Sequence, residues 1–377
     1  MKCKRCGNTD KSYFYQGSKG IYCRKCIRFN RILLEEELGS FDYDIALGVQ
    51  EYAFSYNLTS RQKQASQMCA EYAEDSDVLL HCVCGAGKTE IAVESISRYL
   101  AKGKKVAYAI ARKEVVIELA KRFETIFPKA KVVGVYGGHH NELTGDLIVC
   151  TCHQLYRYYK TFDLLILDEV DAFPLKGDET LMNISLNSCR GNIIFSTATI
   201  DDDLRNVLNK RSYKTVQLFK RPSGRNLPIP KVIYLPKLIS YIYLYYLLRK
   251  IDGQCIVFVQ SKKQAKMLHT LYSRFLSCTY VYSDLNKRDE NIQAFKNKEY
   301  SFIFSTTVLE RGITIKDVSI IILNHTKLFD ESNIIQMLGR VDRAIDTTKG
   351  SCYIISDHYN KAINSSLDYL RKANMSP

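Results

Sequence analysis

At 377 residues and 46% apolar composition, the chain is long enough for two conventional domains plus a small module, which excludes a wholly disordered protein. Its longest candidate membrane stretch, LISYIYLYYLL at 238–248, covers about half of the ~20 residues a spanning helix needs, so no transmembrane segment is expected. A net charge of +14 predicts an anionic partner, with nucleic acid and membrane headgroups competing for that place.

The N-terminus opens on Cys3 with no apolar leader, which argues against a Sec-type export signal and predicts a cytoplasmic protein. Residues 1–31 hold nine Lys/Arg, one acidic residue and four cysteines with little apolar periodicity, so a hydrophobic core alone cannot fold them. Cys3-x2-Cys6, sixteen residues, then Cys23-x2-Cys26 has the spacing of a four-thiolate zinc ribbon, in which two turns each present a pair of ligands to Zn²⁺. The basic residues around them (Lys2, Lys4, Arg5, Lys11, Lys19, Arg24, Lys25, Arg28, Arg31) make either a phosphate-contacting surface or a solvated face.

From about residue 58 the pattern changes to short β-branched runs alternating with helical stretches: DVLLHCV, KVAYAIA, KVVGVYG, DLIVCTC, LLILDEVD and NIIFSTAT. That rhythm predicts an α/β domain with a parallel sheet and crossover helices. FKRPSGRNLPIPK (219–231) reads as a linker, and the rhythm resumes with CIVFVQ, CTYVYS, YSFIFST, VSIIILN and SCYIIS. The expected organisation is a zinc module with a connecting helix (1–50), a first α/β domain (51–217), a linker (218–231) and a second α/β domain (232–377). SYIYLYYLLRK is expected to form an amphipathic helix, and Tyr156 and Tyr159 to share a helix face packed on the sheet, with base stacking as the alternative.

HCVCGAGKTE (81–90) joins a strand to a helix through a glycine-rich turn, the context of a phosphate loop, with Cys82 where the usual signature has its first glycine. Gly85, Ala86 and Gly87 supply backbone N–H groups to ATP phosphates, Lys88 a cation, and Thr89 a hydroxyl for Mg²⁺. LLILDEVD ends a strand in Asp168, placed for Mg²⁺, and Glu169, placed to orient or deprotonate a water. Asp171 is either catalytic or a tie to STAT at 196–199. Cys82, Cys84, Cys150 and Cys152 form two C-x-C pairs at predicted strand ends, read as core side chains in preference to an iron–sulfur site.

GAGKT, DEVD, TAT (197–199) and QMLGRVDR (336–343) come in the order and spacing of the superfamily 2 helicases, which the chain resembles from about 58 to 360. The four-cysteine head together with ILDEVDAFP and RPSGRNLPIP resembles, more narrowly, the ComFA family of late-competence ATPases, over nearly the whole chain. The resemblance implies two tandem RecA-like domains with ATP between them, and single-stranded DNA as the partner. It implies that Gln62 reads the adenine edge, with helix capping as its other reading. It implies that Arg112, Gly137, Gly138 and Thr151 track the nucleic-acid backbone. Thr306, Thr307, Arg311 and Gly312 fall in the motif joining strand contacts to the nucleotide. Gln336, Arg340 and Arg343 fall in the arginine-finger motif, where Asp342 replaces a common glycine. Other competence proteins, the DNA-uptake channel at the inner face of the membrane, and an oligomer are implied on the same ground. An RNA or replication-restart helicase and an ATP-gated DNA-binding scaffold that does not translocate are the competing readings.

Overall fold

A computed structural model describes residues 1–38, 41–45, 51–310, 315, 318–326, 328–341 and 350–375. Two compact units emerge: Met1–Cys82 with Gly87–Leu218, and Val83–Ala86 with Phe219–Pro377.

In the first unit the cysteine-rich segment forms a hairpin, β1 (Phe14–Gly17) against β2 (Gly20–Cys23), antiparallel with Phe14 opposite Cys23. Beyond it come α1 (Ser60–Asp75), β3 (Asp77–Cys82), α2 (Lys88–Ala101), β4 (Val106–Ile110), α3 (Lys113–Ile126) and β5 (Val132–Val135). They are followed by β6 (Leu147–Thr151), a 3-10 turn (Cys152–Arg157), β7 (Phe162–Asp168), α4 (Glu179–Ser188), β8 (Cys189–Thr197), α5 (Asp202–Leu208) and β9 (Tyr213–Leu218). The sheet is parallel in the order β5-β6-β4-β7-β8-β3-β9. Every residue of β4 and β6 is buried, as expected of strands covered by helices on both faces. All the strand C-termini lie along one edge, where ligands of open parallel sheets bind.

The zinc-spacing cysteines do not form a free-standing head. Cys3, Cys6, Cys23, Cys26, Phe29 and Ile32 belong to the same apolar core as Leu155, Leu181 and Ile184.

The second unit contains β10 (Lys231–Tyr234), α6 (Lys237–Lys250), β11 (Gln254–Phe258), α7 (Lys262–Tyr272), β12 (Cys278–Val281) and α8 (Arg288–Lys296). β13 (Phe302–Ser305), β14 (Val318–Asn324), α9 (Glu331–Leu338), β15 (Cys352–Ser356) and α10 (Lys361–Met375) complete it. Its sheet is parallel in the order β10-β15-β14-β11-β13-β12. α6 departs from the amphipathic expectation. It buries Ser240, Leu244, Leu247 and Leu248 but leaves Leu238 79% and Ile242 73% exposed, because its apolar residues run all round the helix. Among the described residues no helix is long and apolar enough to cross a membrane.

Candidate nucleotide and zinc sites

β3 leads through the glycine-rich turn into α2, whose first residues are Lys88 and Thr89. Gly85 (φ 81°) and Gly87 (φ 91°) are left-handed, a conformation that only glycine adopts without strain. A Cβ on Gly87 would lie 2.4 Å from Gln62 Nε2. Gln62 is buried and held in place by a capping box, its Oε1 accepting from the Thr59 amide and hydroxyl, both at 3.1 Å. The capping contact thus uses Gln62 Oε1, beside the phosphate loop. Gly87→Ala meets both the strained φ and the crowded Gln62 amide, and is expected to weaken nucleotide affinity roughly tenfold or more, read by titration of a fluorescent nucleotide.

Asp168 ends β7 and is buried. Tyr108 donates to its Oδ2 at 2.7 Å, and Ser196 Oγ and the Glu169 amide donate to its Oδ1 at 2.7 and 3.0 Å. Burial pushes its carboxyl above the ordinary value, and the nearby Lys88 charge and the hydroxyl donors work against that rise. Glu169 is half-buried in a left-handed conformation (φ 55°), unusual for a residue with a side chain and typical of strain kept at functional positions. Asp171 accepts from Thr199 Oγ1 at 2.6 Å, and Thr197 Oγ1 donates to the Thr199 carbonyl, also at 2.6 Å. Of its two readings, this geometry is the tie between DEVD and TAT. The loop, the carboxylates and their hydroxyl donors fit a nucleotide with a divalent ion, because a lysine, a threonine hydroxyl and a carboxylate converge at the sheet's C-terminal edge.

Sequence reasoning missed Tyr108 and Ser196, whose hydroxyls are hidden in apolar runs. It also missed the cluster at the start of α2, where Tyr56 donates to Glu90 Oε1 at 2.6 Å and Arg122 donates to both. Burial opposes ionisation of Glu90, but Arg122 and Tyr56 hold its carboxyl below the ordinary value.

The Sγ atoms of Cys3, Cys6, Cys23 and Cys26 all lie within 4.8 Å of one another, with Cys3–Cys26 and Cys6–Cys23 at 3.8 Å. Four thiolates ~2.3 Å from a tetrahedral zinc are about 3.8 Å apart, so the residues fit Zn²⁺. Arg5, expected on a basic surface, is instead buried. Its Nη2 donates to Cys26 Sγ at 3.2 Å and to the Cys26 carbonyl at 2.7 Å, and its Nη1 to the Phe29 carbonyl at 2.5 Å. A guanidinium there offsets thiolate charge and knits the two knuckles together. Lys25 pairs with Glu179 at 3.1 Å and Arg28 pairs with Asp178, while Phe29 packs on His153 and Tyr156 (centroids 6.2 and 5.7 Å). Lys25, Arg28 and Phe29 thus make contacts to the rest of the first unit. Tyr156 thus packs on the four-cysteine module, and the side chain buried against Phe162 is Tyr158, because a short 3-10 turn replaces the expected helix.

Cys82, Cys84, Cys150 and Cys152 are buried, and burial pushes the Cys82 and Cys152 thiols up to about 12. Among the described residues the ligand cluster found is the N-terminal one.

Two family profiles match in tandem: "Type III restriction enzyme, res subunit" over residues 55–202 and "Helicase conserved C-terminal domain" over residues 233–345. The competence protein ComFA of Streptococcus pneumoniae is 31% identical, the match covering 99% of this chain and 90% of that one. The chain belongs to the ComFA family. ComFA of Bacillus subtilis is 29% identical over 96% of this chain and 82% of its own. The fold is that of the helicases: S. cerevisiae Dbp5 bound to RNA and ADP BeF3 superposes with a TM-score of 0.63 at 19% identity, covering 84% of this chain and 88% of that one. This ComFA-family member is an ATP-hydrolysing helicase of superfamily 2, built from two RecA-like parallel-sheet domains and a small four-cysteine module.

The remaining motif residues lie at or just past strand ends in the first unit, and after β13 or on and just past α9 in the second. Arg112 is the N-cap of α3, directly after β4, and Thr151 ends β6 with its side chain buried. Gly137 and Gly138 form an exposed turn closed by paired backbone bonds between Tyr136 and His139 at 3.0 and 2.9 Å. In the second unit Thr306 and Thr307 follow β13, half-buried and exposed respectively. Gln336 is buried on α9, and buried Arg340 donates through Nε to the Glu310 carbonyl at 3.0 Å. Arg221, which sequence reading placed merely in a linker, donates to the Gly339 and Val341 carbonyls at 2.8 and 2.6 Å, bracketing Arg340. Arg311, Gly312, Asp342 and Arg343 lie outside the described residues.

Proposed function

We propose that this ComFA-family helicase is an ATP-driven translocase of single-stranded DNA that acts in DNA uptake during natural transformation. The observation that carries the reading is the shared edge of the first sheet. Lys88, Thr89, Asp168 and Glu169 lie past or at the ends of β3 and β7, while Arg112, Gly137, Gly138 and Thr151 lie past or at the ends of β4, β5 and β6. A phosphate site and a strand-tracking row along one edge support coupling of nucleotide state to DNA grip. The charge of +14 supports an anionic partner.

Bound Mg²⁺ would neutralise charge on the β- and γ-phosphates. The chain's own parts are assigned as follows. Backbone amides of Gly85, Ala86, Gly87 and Lys88 cradle the phosphates, and Lys88 adds a cation. Thr89 and Asp168 hold the ion. Glu169 takes a proton from the attacking water. Gln62 reads the adenine edge. Gln336, Arg340 and Arg343 compensate charge on the γ-phosphate, Gly312 lies against the nucleotide, and Thr306 and Thr307 join the strand contacts to it. Cys3, Cys6, Cys23 and Cys26 bind Zn²⁺. Other competence proteins and the uptake channel at the cytoplasmic face of the membrane are the proposed partners.

ATP turnover by the full chain is expected to rise at least about tenfold with single-stranded DNA, and less with duplex DNA or RNA. Equal turnover with and without single-stranded DNA, or stronger stimulation by RNA, overturns the reading.

A further inference from the structure

Tyr108 sits in the middle of β4, fully buried, with its ring 5.4 Å from that of Phe123. Packing alone needs no hydroxyl in this apolar strand, yet that hydroxyl is placed between two side chains of the nucleotide site. It donates to Asp168 Oδ2 at 2.7 Å, and its oxygen lies 3.4 Å from Thr89 Oγ1. Asp168 is ringed by donors, Ser196 and the Glu169 amide occupying its other oxygen, so it acts as acceptor throughout. A tyrosine has a single hydroxyl proton. With that proton given to Asp168, the Tyr108 oxygen is left to accept, and the direction of donation is Thr89 to Tyr108 to Asp168.

This direction matters to a hydroxyl that ligates a cation. Such a hydroxyl must aim a lone pair at the ion and its hydrogen elsewhere, and it needs an acceptor to hold it so. We infer that Tyr108 is a positioning residue of the metal–nucleotide site, orienting the Thr89 hydroxyl as acceptor and anchoring Asp168 as donor with one oxygen. The inference rests on Thr89 and Asp168 being the Mg²⁺ ligands and adds the group that aligns them. Partners of this kind set metal affinity: their loss typically costs about 10- to 100-fold.

The test is binding of a fluorescent ADP analogue to the full chain, titrated in Mg²⁺ and again in excess EDTA. Tyr108→Phe keeps the ring against Phe123 and removes only the oxygen. It is expected to bind the Mg²⁺-free analogue within about twofold of wild type, while the gain from Mg²⁺ shrinks roughly tenfold. Ser196→Ala removes an equally short bond to the same carboxylate without touching Thr89, and is expected to lose clearly less of the gain than Tyr108→Phe, because it disturbs one of the two ligands and Tyr108 holds both. If Tyr108→Phe lacks a cooperative thermal transition, Tyr108→Met replaces it. A full Mg²⁺ gain in the Tyr108 variant, or an equal loss in Ser196→Ala, overturns the inference. A gain that survives Thr89→Ala overturns the ligand assignment beneath it, which is a separate outcome because it does not involve Tyr108.

Discussion

Glu169→Gln is expected to lower DNA-stimulated ATP turnover by about 10²- to 10⁴-fold while leaving nucleotide and single-stranded DNA affinity nearly unchanged. The substitution is close to isosteric, so the left-handed backbone at φ 55° and the Glu169 amide that donates to Asp168 at 3.0 Å are both kept. What it removes is the capacity to take a proton from water. Asp168 cannot substitute as base, because each of its oxygens already accepts a hydroxyl at 2.7 Å and it lies deeper than Glu169. Equilibrium binding measured beside steady-state turnover separates the two effects. Turnover within a few-fold of wild type would remove Glu169 from the chemistry, and a parallel loss of nucleotide affinity would recast it as a binding group.

The strained backbone at Glu169 has a visible cause. β7 ends in a carboxylate that must stay buried, and the chain must then reverse quickly enough for Asp171 to meet Thr199 at 2.6 Å. His81 on β3 adds a further contact, its Nε2 3.1 Å from the Ala198 carbonyl. Three strands are thus stitched together at their C-terminal ends by side-chain bonds that the sheet's own ladder does not provide. Rigid support of this kind is what a positioned base requires.

Local chemistry decided what could be read before folding. The β-branched runs from DVLLHCV to SCYIIS announce strands because sheets covered on both faces need continuous apolar sequence. GAGKT and the two C-x2-C knuckles are equally legible, since a phosphate loop and a zinc knuckle are made within a few residues. β9 was less so: Tyr213–Leu218 buries only Val216 and Leu218 and sits at the sheet edge, so it lacks the continuous apolar run of the covered strands. Tyr108 reads as one more strand residue, because its role depends on Thr89 and Asp168, nineteen and sixty positions away. Arg221 was hidden for the same reason, its partners being backbone carbonyls more than a hundred residues on. The docking of the cysteine module needed the fold as well, since Arg28 and Asp178 are 150 residues apart.

That docking sets the second large effect. Cys23→Ser is expected to abolish stoichiometric zinc binding and to release residues 1–33 from the first unit. Besides the cysteines the module has one hairpin of two four-residue strands, two surface ion pairs to α4 and its N-cap, and Phe29 and Ile32 as its main buried apolar anchors. In zinc-finger peptides metal binding supplies ~10–16 kcal/mol, far beyond what such a hairpin contributes. Losing the module uncovers the core it shares with Leu155 and Leu181 and withdraws Phe29 from Tyr156. Burial equivalent to one large aromatic is worth about 3–5 kcal/mol, and about 1 kcal/mol shifts the midpoint of a 150–250-residue domain by roughly 2–4 °C. The thermal midpoint should therefore fall by about 6–20 °C. Phe29→Ala separates ligation from docking. It leaves Arg5, the four thiolates and hence zinc content intact while losing a similar share of stability. Zinc release and thermal unfolding, measured on both variants, distinguish the cases. A Cys23→Ser chain that unfolds at the wild-type temperature would show that the first unit does not depend on its metal-stapled module, and a Phe29→Ala chain that loses zinc would show that docking and ligation are one event.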